Sequence, residues 1–371
     1  MEKLRLAVIG AGRLGRFHAQ KIAAHDDAEL VAVVDPIAEN RDRVAAECRT
    51  QSLPDYDTII GQFDAAVIAT PTESHYAVAA DCLQRGLHLL VEKPLCRTRA
   101  EADQLAELAR ANGLVLQVGH VERFNPAFAA AAAKARDPKY IEAVRASQFT
   151  FRSTDIGVVF DLMIHDIDLV LAMVGSRVRR IDALGFSVVG GHEDVANVRL
   201  HFESGCVANL SASRVSCEPT RRMHVWSAEA FAGIDFATRR TTVVRPSEAL
   251  RRRQFDLNAL SPAEIDHYRT HFADEHLPRE ELEFSAVDAL ALELDDFVRA
   301  IAERRQPRVN GDAGREAVAV AEQILARIAA HAWDEQVDGP VGPLAIPRPR
   351  IVPAPHFITS AQMHRARREA G

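Results

Sequence analysis

Short apolar runs separated by amphipathic stretches dominate the first 120 residues. Leu4-Arg5-Leu6-Ala7-Val8-Ile9 reads as a buried strand, and a second apolar run ends on Asp35. After a charged helix over Glu39–Glu47, strands are predicted at Ala65–Thr70, Leu87–Val91 and Val115–Val118, with helices at Tyr76–Leu83 and Arg99–Arg110 between them. Gly86 and Gly113 follow these helices, where a glycine takes the left-handed C-terminal conformation at little cost. Strands alternating with helices predict an α/β fold with a doubly wound parallel sheet of Rossmann type. Such sheets bind ligands at the carboxyl ends of their strands. Asp35, Thr70, Glu92-Lys93 and Gly119-His120 all fall on that rim.

From residue 121 the pattern changes. An Ala-rich helix over Pro126–Ala135 precedes strands of period two, Asn197–Phe202 and Gly205–Ser211, joined at Ser204-Gly205 by a hairpin turn. Further strands are expected at Val178–Phe186 and Thr241–Val244, and helices at Ala286–Ile301 and Ala313–Ala330. Residues 250–278 are polar and carry no clear period. The expected organisation is a nucleotide-binding domain over 1–120, an α+β domain with a mostly antiparallel open sheet over 121–335, and a Pro-rich arm over 336–371. Six prolines between Pro340 and Pro355 exclude a helix or central strand there. Ile346, Ile351, Val352 and Phe357 give the arm apolar side chains that suit docking on a neighbouring subunit; a solvated tail, ending in the basic helix-like stretch Ala361–Ala370, is the alternative.

A net charge of −7 argues against nucleic acid as a partner. No apolar run is long enough for a membrane span, and the N-terminus opens into a strand rather than a signal peptide. Cys48, Cys82, Cys96, Cys206 and Cys217 are scattered and unpaired by motif, as expected of free thiols in the cytoplasm. Lysine is scarce, five residues against 40 arginines, so a lysine at a chemically exposed position gains interest.

Gly10, Gly12 and Gly15 stand at G-x-G-x-x-G spacing between a predicted strand and helix, and Asp35 lies twenty residues past Gly15. Gly10 suits the tight turn, Gly12 the close approach of a pyrophosphate, and Gly15 the packing of helix on strand. The helix N-terminus attracts the diphosphate, while Asp35 accepts a ribose 2′-hydroxyl and repels a 2′-phosphate. The expected cofactor is NAD.

Lys93, in Val91-Glu92-Lys93-Pro94-Leu95, closes the fifth strand of the nucleotide domain, where it can bond a substrate hydroxyl or exchange its proton. The bond to Pro94 is a candidate for cis. A solvated Lys-Pro turn is the bland alternative. In Asp161-Leu162-Met163-Ile164-His165-Asp166-Ile167-Asp168, Asp161 and His165 are four apart on a helix and share a face. His165 suits proton acceptance, with Asp168 one turn on to orient it. A metal site lacks a further His or Cys ligand, and a core histidine capped by Asp168 is the other alternative.

These motifs in this order, with Ala69–His75 (ATPTESH), Glu193–Arg214 and Leu292–Ile301, resemble the glucose–fructose oxidoreductase / inositol dehydrogenase / rhizopine-catabolism (Gfo/Idh/MocA) family over residues 3–330. The resemblance implies that Lys93, Asp161 and His165 surround the reacting hydroxyl. It also implies that Gly10, Gly12, Arg13, Leu14, Asp35, Thr70, Pro71, His75 and Glu92 bind the cofactor. Met163 departs from the glycine that many members carry before the histidine. That departure and Val118–Ala127 (VGHVERFNPA) resemble the UDP-N-acetylglucosamine 3-dehydrogenase subgroup. In the segment, Arg123 suits a diphosphate, while Glu122 and Asn125 suit sugar hydroxyls or an acetamido group. A polar linker with Arg123 paired to an acid is the alternative.

The implied function is NAD-dependent oxidation of a secondary hydroxyl of a nucleotide sugar, the 3-hydroxyl of UDP-GlcNAc first among them, ahead of an aminotransferase in making 2,3-diamino sugars for lipid A. A homo-dimer or homo-tetramer is expected. The rivals are a dehydrogenase of a free polyol, inositol or another UDP-sugar, and a non-catalytic NAD- or sugar-sensing protein. The sequence leaves open whether Lys93 or His165 takes the proton.

Overall fold

The computed structural model describes residues 2–151, 155–189, 191–285 and 287–331; the Pro-rich arm and the basic stretch that ends it lie outside the described residues. The N-terminal alternation is present as β1 (Leu4–Ile9), α1 (Arg13–Ala23), β2 (Ala28–Val34), α2 (Ala38–Cys48), β3 (Gln51–Leu53), β4 (Ala65–Ile68), α3 (Thr72–Gln84), β5 (His88–Glu92), α4 (Arg99–Ala111) and β6 (Leu116–Gly119). The six strands lie in the order β3-β2-β1-β4-β5-β6, all parallel. The order reverses between β1 and β4, and the glycine loop leaves the sheet at that switch point, where such sheets hold their ligands. Four successive residues at the end of β1 and all of β4 are buried. Helices cover both faces, which is why these strands read as continuous apolar runs rather than alternating ones.

The chain continues through α5 (Pro126–Lys134), β7 (Pro138–Ala146) and a π-helical turn at Val159–Met163 that runs directly into α6 (Ile164–Val174). Then come β8 (Val178–Phe186), β9 (Val195–Phe202), β10 (Val207–Ser213), β11 (Thr220–Ser227), β12 (Phe231–Asp235) and β13 (Arg240–Val244). The series ends with α7 (Glu248–Arg251), α8 (Pro262–His276), β14 (Arg279–Glu283), α9 (Ala289–Ala302) and α10 (Gly311–Ala330). The eight strands form one sheet, β14-β13-β12-β11-β7-β10-β9-β8, antiparallel except for the parallel pair β7–β10. Residues 250–278, without period in the sequence, are mostly helix; α8 buries none of its side chains, so it has no apolar stripe to read. The strands β3, β7, β11, β12 and β14 join those expected.

The last two helices return to the first sheet. Leu294 and Phe297 of α9 are wholly buried with Leu6, Val8 and Ile22. Gly314 of α10 packs on β6 so closely that an added Cβ would lie 2.5 Å from a methyl of Val118. Two apolar cores result: one runs between the two sheets, and a second, holding Leu294 and Phe297, covers the other face of the first sheet. Among the described residues, no helix is long and apolar enough to cross a membrane.

Candidate active site

The three loop glycines divide their work as their surroundings require. Gly10 has φ +102°, and a Cβ there would lie 2.6 Å from the Ala69 backbone; at Gly15 it would lie 1.7 Å from the Gly10 carbonyl. At Gly12 nothing lies within 4 Å of that position, so the loop is open to a ligand there. Gly12 caps α1 without a side-chain hydrogen bond, leaving the first N–H groups, those of Arg13 and Leu14, for an anion. Asp35 is buried at the end of β2: Oδ2 accepts from the Ala11 N–H (2.7 Å) and Oδ1 from the Ile37 N–H (2.8 Å). The carboxylate thus shapes the glycine loop, and each oxygen keeps a lone pair for a ribose hydroxyl. Arg41, close by, donates to the backbone carbonyls of Asp35 and Pro36. These residues fit a dinucleotide.

Two of the residues assigned to the cofactor, His75 and Glu92, are buried and bonded within the protein. The His75 ring is buried, with Nδ1 2.7 Å from the Pro94 carbonyl and Nε2 2.9 Å from the Thr70 carbonyl. It braces the β4 loop, where Thr70 precedes Pro71 at the start of α3, against the turn carrying Lys93. Both ring nitrogens lie at hydrogen-bond distance from a backbone carbonyl. Glu92 is also buried; it bonds His18 Nε2 at 2.7 Å and accepts from the Lys93 N–H at 3.2 Å. Glu293, reaching in from α9, is wholly buried, and neither of its oxygens has a hydrogen-bond partner among the described residues. The ligand atoms of His18, Glu92 and Glu293 lie within 4.8 Å of one another, close enough for an ion or a shared proton. Burial, and then the charge of Glu92, push the Glu293 carboxyl well above the usual range. Burial works against ionisation of Glu92 too, yet the bond to His18 and its charge hold that carboxyl below its usual value. The surroundings thus favour the neutral form of the first and the anion of the second.

Lys93, Asp161 and His165 come together where the two sheets meet. The Lys93–Pro94 bond is cis, as the sequence suggests. Lys93 Nζ donates to the Asp161 carbonyl at 2.7 Å and lies 3.7 Å from its carboxylate. The Asp161 turn is π-helical, a form frequent at functional sites. Buried Glu193 steadies the turn by accepting from the Val159 N–H, in space that any Cβ at Gly157 would fill. His165, on the next turn, has a buried Nδ1 without a partner among the described residues. Burial, then the charges of Lys93 and Arg145, hold its pKa well below the usual histidine value, so the imidazole is neutral and free to accept a proton. His120, at the end of β6, packs edge-on to His165 with ring centroids 6.4 Å apart, and neither of its buried nitrogens has a partner among the described residues. The sequence places His120 on the strand-end rim, which was signal enough to include it in the site.

The segment expected to hold substrate also makes contacts within the protein. Arg123 Nε donates to buried Asp168 at 3.0 Å, so Asp168 anchors this arginine rather than orienting His165. Glu122 accepts from Arg145 Nη1 (3.2 Å) and from Asn125 Nδ2 (3.1 Å); Asn125 also caps α5. Arg145, from β7, makes two 2.9 Å bonds to Asp166. No sequence signal pointed to Arg145, because charged β7 was not legible as a strand. The alternative of an arginine paired to an acid is the one the contacts describe. Asp161 and His165 gather no third metal ligand among the described residues.

The chain is similar to known proteins in sequence and fold. Residues 4–120 match the oxidoreductase family with an NAD-binding Rossmann fold, and residues 127–231 match the GFO/IDH/MocA C-terminal domain. The UDP-N-acetylglucosamine 3-dehydrogenase of Acidithiobacillus ferrooxidans is 38% identical over 90% of this chain and 99% of its own length. A solved structure of that enzyme superposes with a TM-score of 0.77, covering 89% of this chain and 99% of that one. The NAD(+)-dependent scyllo-inositol 2-dehydrogenase of Bacillus subtilis is 30% identical over 58% of this chain and 68% of its own length.

Proposed function

Because the chain belongs to the Gfo/Idh/MocA family of NAD-binding oxidoreductases, we propose that it oxidises the 3-hydroxyl of UDP-GlcNAc to the 3-keto sugar. The observation that carries this reading is the convergence of Lys93, Asp161 and neutral His165 at the strand-end rim, in a chain 38% identical over 90% of its length to a UDP-N-acetylglucosamine 3-dehydrogenase. The glycine loop, the uncapped start of α1 and Asp35 would hold the cofactor. Bound NAD supplies the hydride acceptor.

Around it, the chain's own groups manage one proton. Asp161 holds Lys93 through its carbonyl, leaving the ammonium two further hydrogens to bond the substrate hydroxyl and the oxyanion it becomes. His165, neutral and poorly hydrated, takes the hydroxyl proton as general base. His120, neutral for the same reason of burial, narrows the pocket beside it. Intact proton-transfer groups speak against a mere sensor.

The rest of the reading follows from this chemistry. The 3-keto product suits an aminotransferase that builds a 2,3-diamino sugar for lipid A. The sheet face opposite α6, where Tyr140, Trp226 and Phe231 cluster, supports assembly as a homo-dimer or homo-tetramer. Free cysteines suit the cytoplasm. The test is NADH formation across UDP-sugars, free GlcNAc and inositols. Turnover of UDP-GlcNAc far above the others is expected; preference for an inositol would move the protein to another substrate class within its family.

A further inference from the structure

With Arg123 Nε committed to Asp168, a doubly charged diphosphate is better seated by a further cation. Around the site, most cations already have a carboxylate: Lys93 has Asp161 at 3.7 Å, Arg145 has Asp166, and Arg214 has Asp194. Arg221 differs. It is exposed, and its side chain makes no hydrogen bond or ion pair with the described residues.

Its placement is set by the sheet. Arg221 pairs directly with Arg145 across β11 and β7, so both side chains leave the same face. That face carries Met223 and Val225 into the core and points Arg145 at Asp166 of α6. The opposite face takes Arg222, which bonds Asp235. Arg221 is thus an inner-face residue at a point where the helices no longer cover the sheet, beside the start of α6. Its charge reaches His165: after burial, Lys93, Arg145 and His120, it is a further contributor to that ring's low proton affinity.

We propose that Arg221 is the anion-binding residue of the substrate pocket, seating the diphosphate of a nucleotide sugar whose ring lies between Lys93 and His165. This rests on the nucleotide-sugar reading and gives it a residue. In such a substrate four bonds separate the carbon at position 3 from the nearer phosphorus, about 5 Å with bond lengths near 1.5 Å. The phosphate therefore falls within the reach of an arginine side chain from the reacting carbon. Arginine suits the task because its planar fork gives paired bonds to phosphate oxygens.

The experiment compares initial rates of the full-length enzyme and of Arg221→Ala and Arg221→Lys with UDP-GlcNAc and with free GlcNAc. Arg221→Ala should raise KM for UDP-GlcNAc about ten- to a hundredfold, the worth of a charge-assisted bond, with much less effect on kcat. Arg221→Lys should recover part of the loss, and the preference for UDP-GlcNAc over GlcNAc should shrink by the same factor. Thermal melting should stay near the parent's, since the side chain is exposed. Arg123→Ala should lower the melting temperature instead, because it strands buried Asp168. If the parent oxidises UDP-GlcNAc while Arg221→Ala keeps the parental KM, the proposal is overturned and the reading stands. A parent that ignores every UDP-sugar overturns both.

Discussion

The two flanks of Lys93 are both buried and both rich in charge, yet they are balanced in opposite ways. On the α6 side, Arg145 meets Asp166 and Glu122, and Arg123 meets Asp168, so nearly every charge has a partner at hydrogen-bond distance. On the Rossmann side, His18 bonds Glu92, and Glu293 beside them has no hydrogen-bond partner among the described residues. Where no guanidinium is supplied, burial and the neighbouring Glu92 charge favour a proton on the second carboxyl. Pairing fixes the geometry of one flank; protonation sets the charge of the other.

The sharpest way to break this comparison is to remove the hub of the paired side. Arg145→Met leaves Asp166 and Glu122 buried without their cation, which should cost about 3–5 kcal/mol in urea unfolding. Adding Asp166→Asn should restore part of the loss. Parent-like stability of the single variant would show that pairing does not hold this flank.

Between the flanks, Lys93→Ala and His165→Ala should each lower kcat by about a hundredfold or more. Cofactor affinity, followed by fluorescence titration, should change little, because neither side chain shapes the glycine loop. Near-normal turnover in both would place the chemistry elsewhere. His165 has a depressed pKa, so a base of this kind stays competent as pH falls past the usual histidine range. An acid limb of kcat/KM at or above pH 6.5 would contradict its role.

The smallest effect should come from the unpaired side. Glu293 has a raised pKa in the folded state. Its contribution is fully favourable below the ordinary glutamate value and is lost as pH rises through the folded pKa. Glu293→Gln removes that loss, so the variant should be more stable than the parent by about 1 kcal/mol at pH 8, with the gap closing toward pH 4. A variant that is less stable at every pH would mean the carboxyl has a partner that the amide cannot replace.

Much of this was legible in the residues. The Rossmann strands are fully buried apolar runs, and Gly10-x-Gly12-x-x-Gly15 with Asp35 carries its chemistry in its spacing. Lys93, Asp161 and His165 could be singled out because they stand at a strand end and on one helical turn. What the sequence hid was pairing across distance. Arg123 and Asp168 are 45 residues apart, and Arg145 lies on a strand whose charged residues mask its period. Glu122 and Asn125 looked like ligands for sugar because polar residues near a site look alike until their partners are known. His75 and Glu92 belong with them: both lie in the right motifs, but their burial and their partners within the protein were not legible.

The return of α9 to the first sheet changes how the chain should be divided. Leu294 and Phe297 fill the same core as β1 and α1, and Glu293 completes the cluster beside Lys93. The nucleotide-binding unit is therefore built from both ends of the described chain, and the large sheet is inserted into it between β6 and α9. A fragment ending at residue 120 would expose Leu6, Val8 and Ile22 and would lack an acid from the Lys93 flank. Grafting another substrate sheet onto this nucleotide-binding unit should work only at two junctions at once, near residues 120 and 288, in the manner of a cassette rather than a tail.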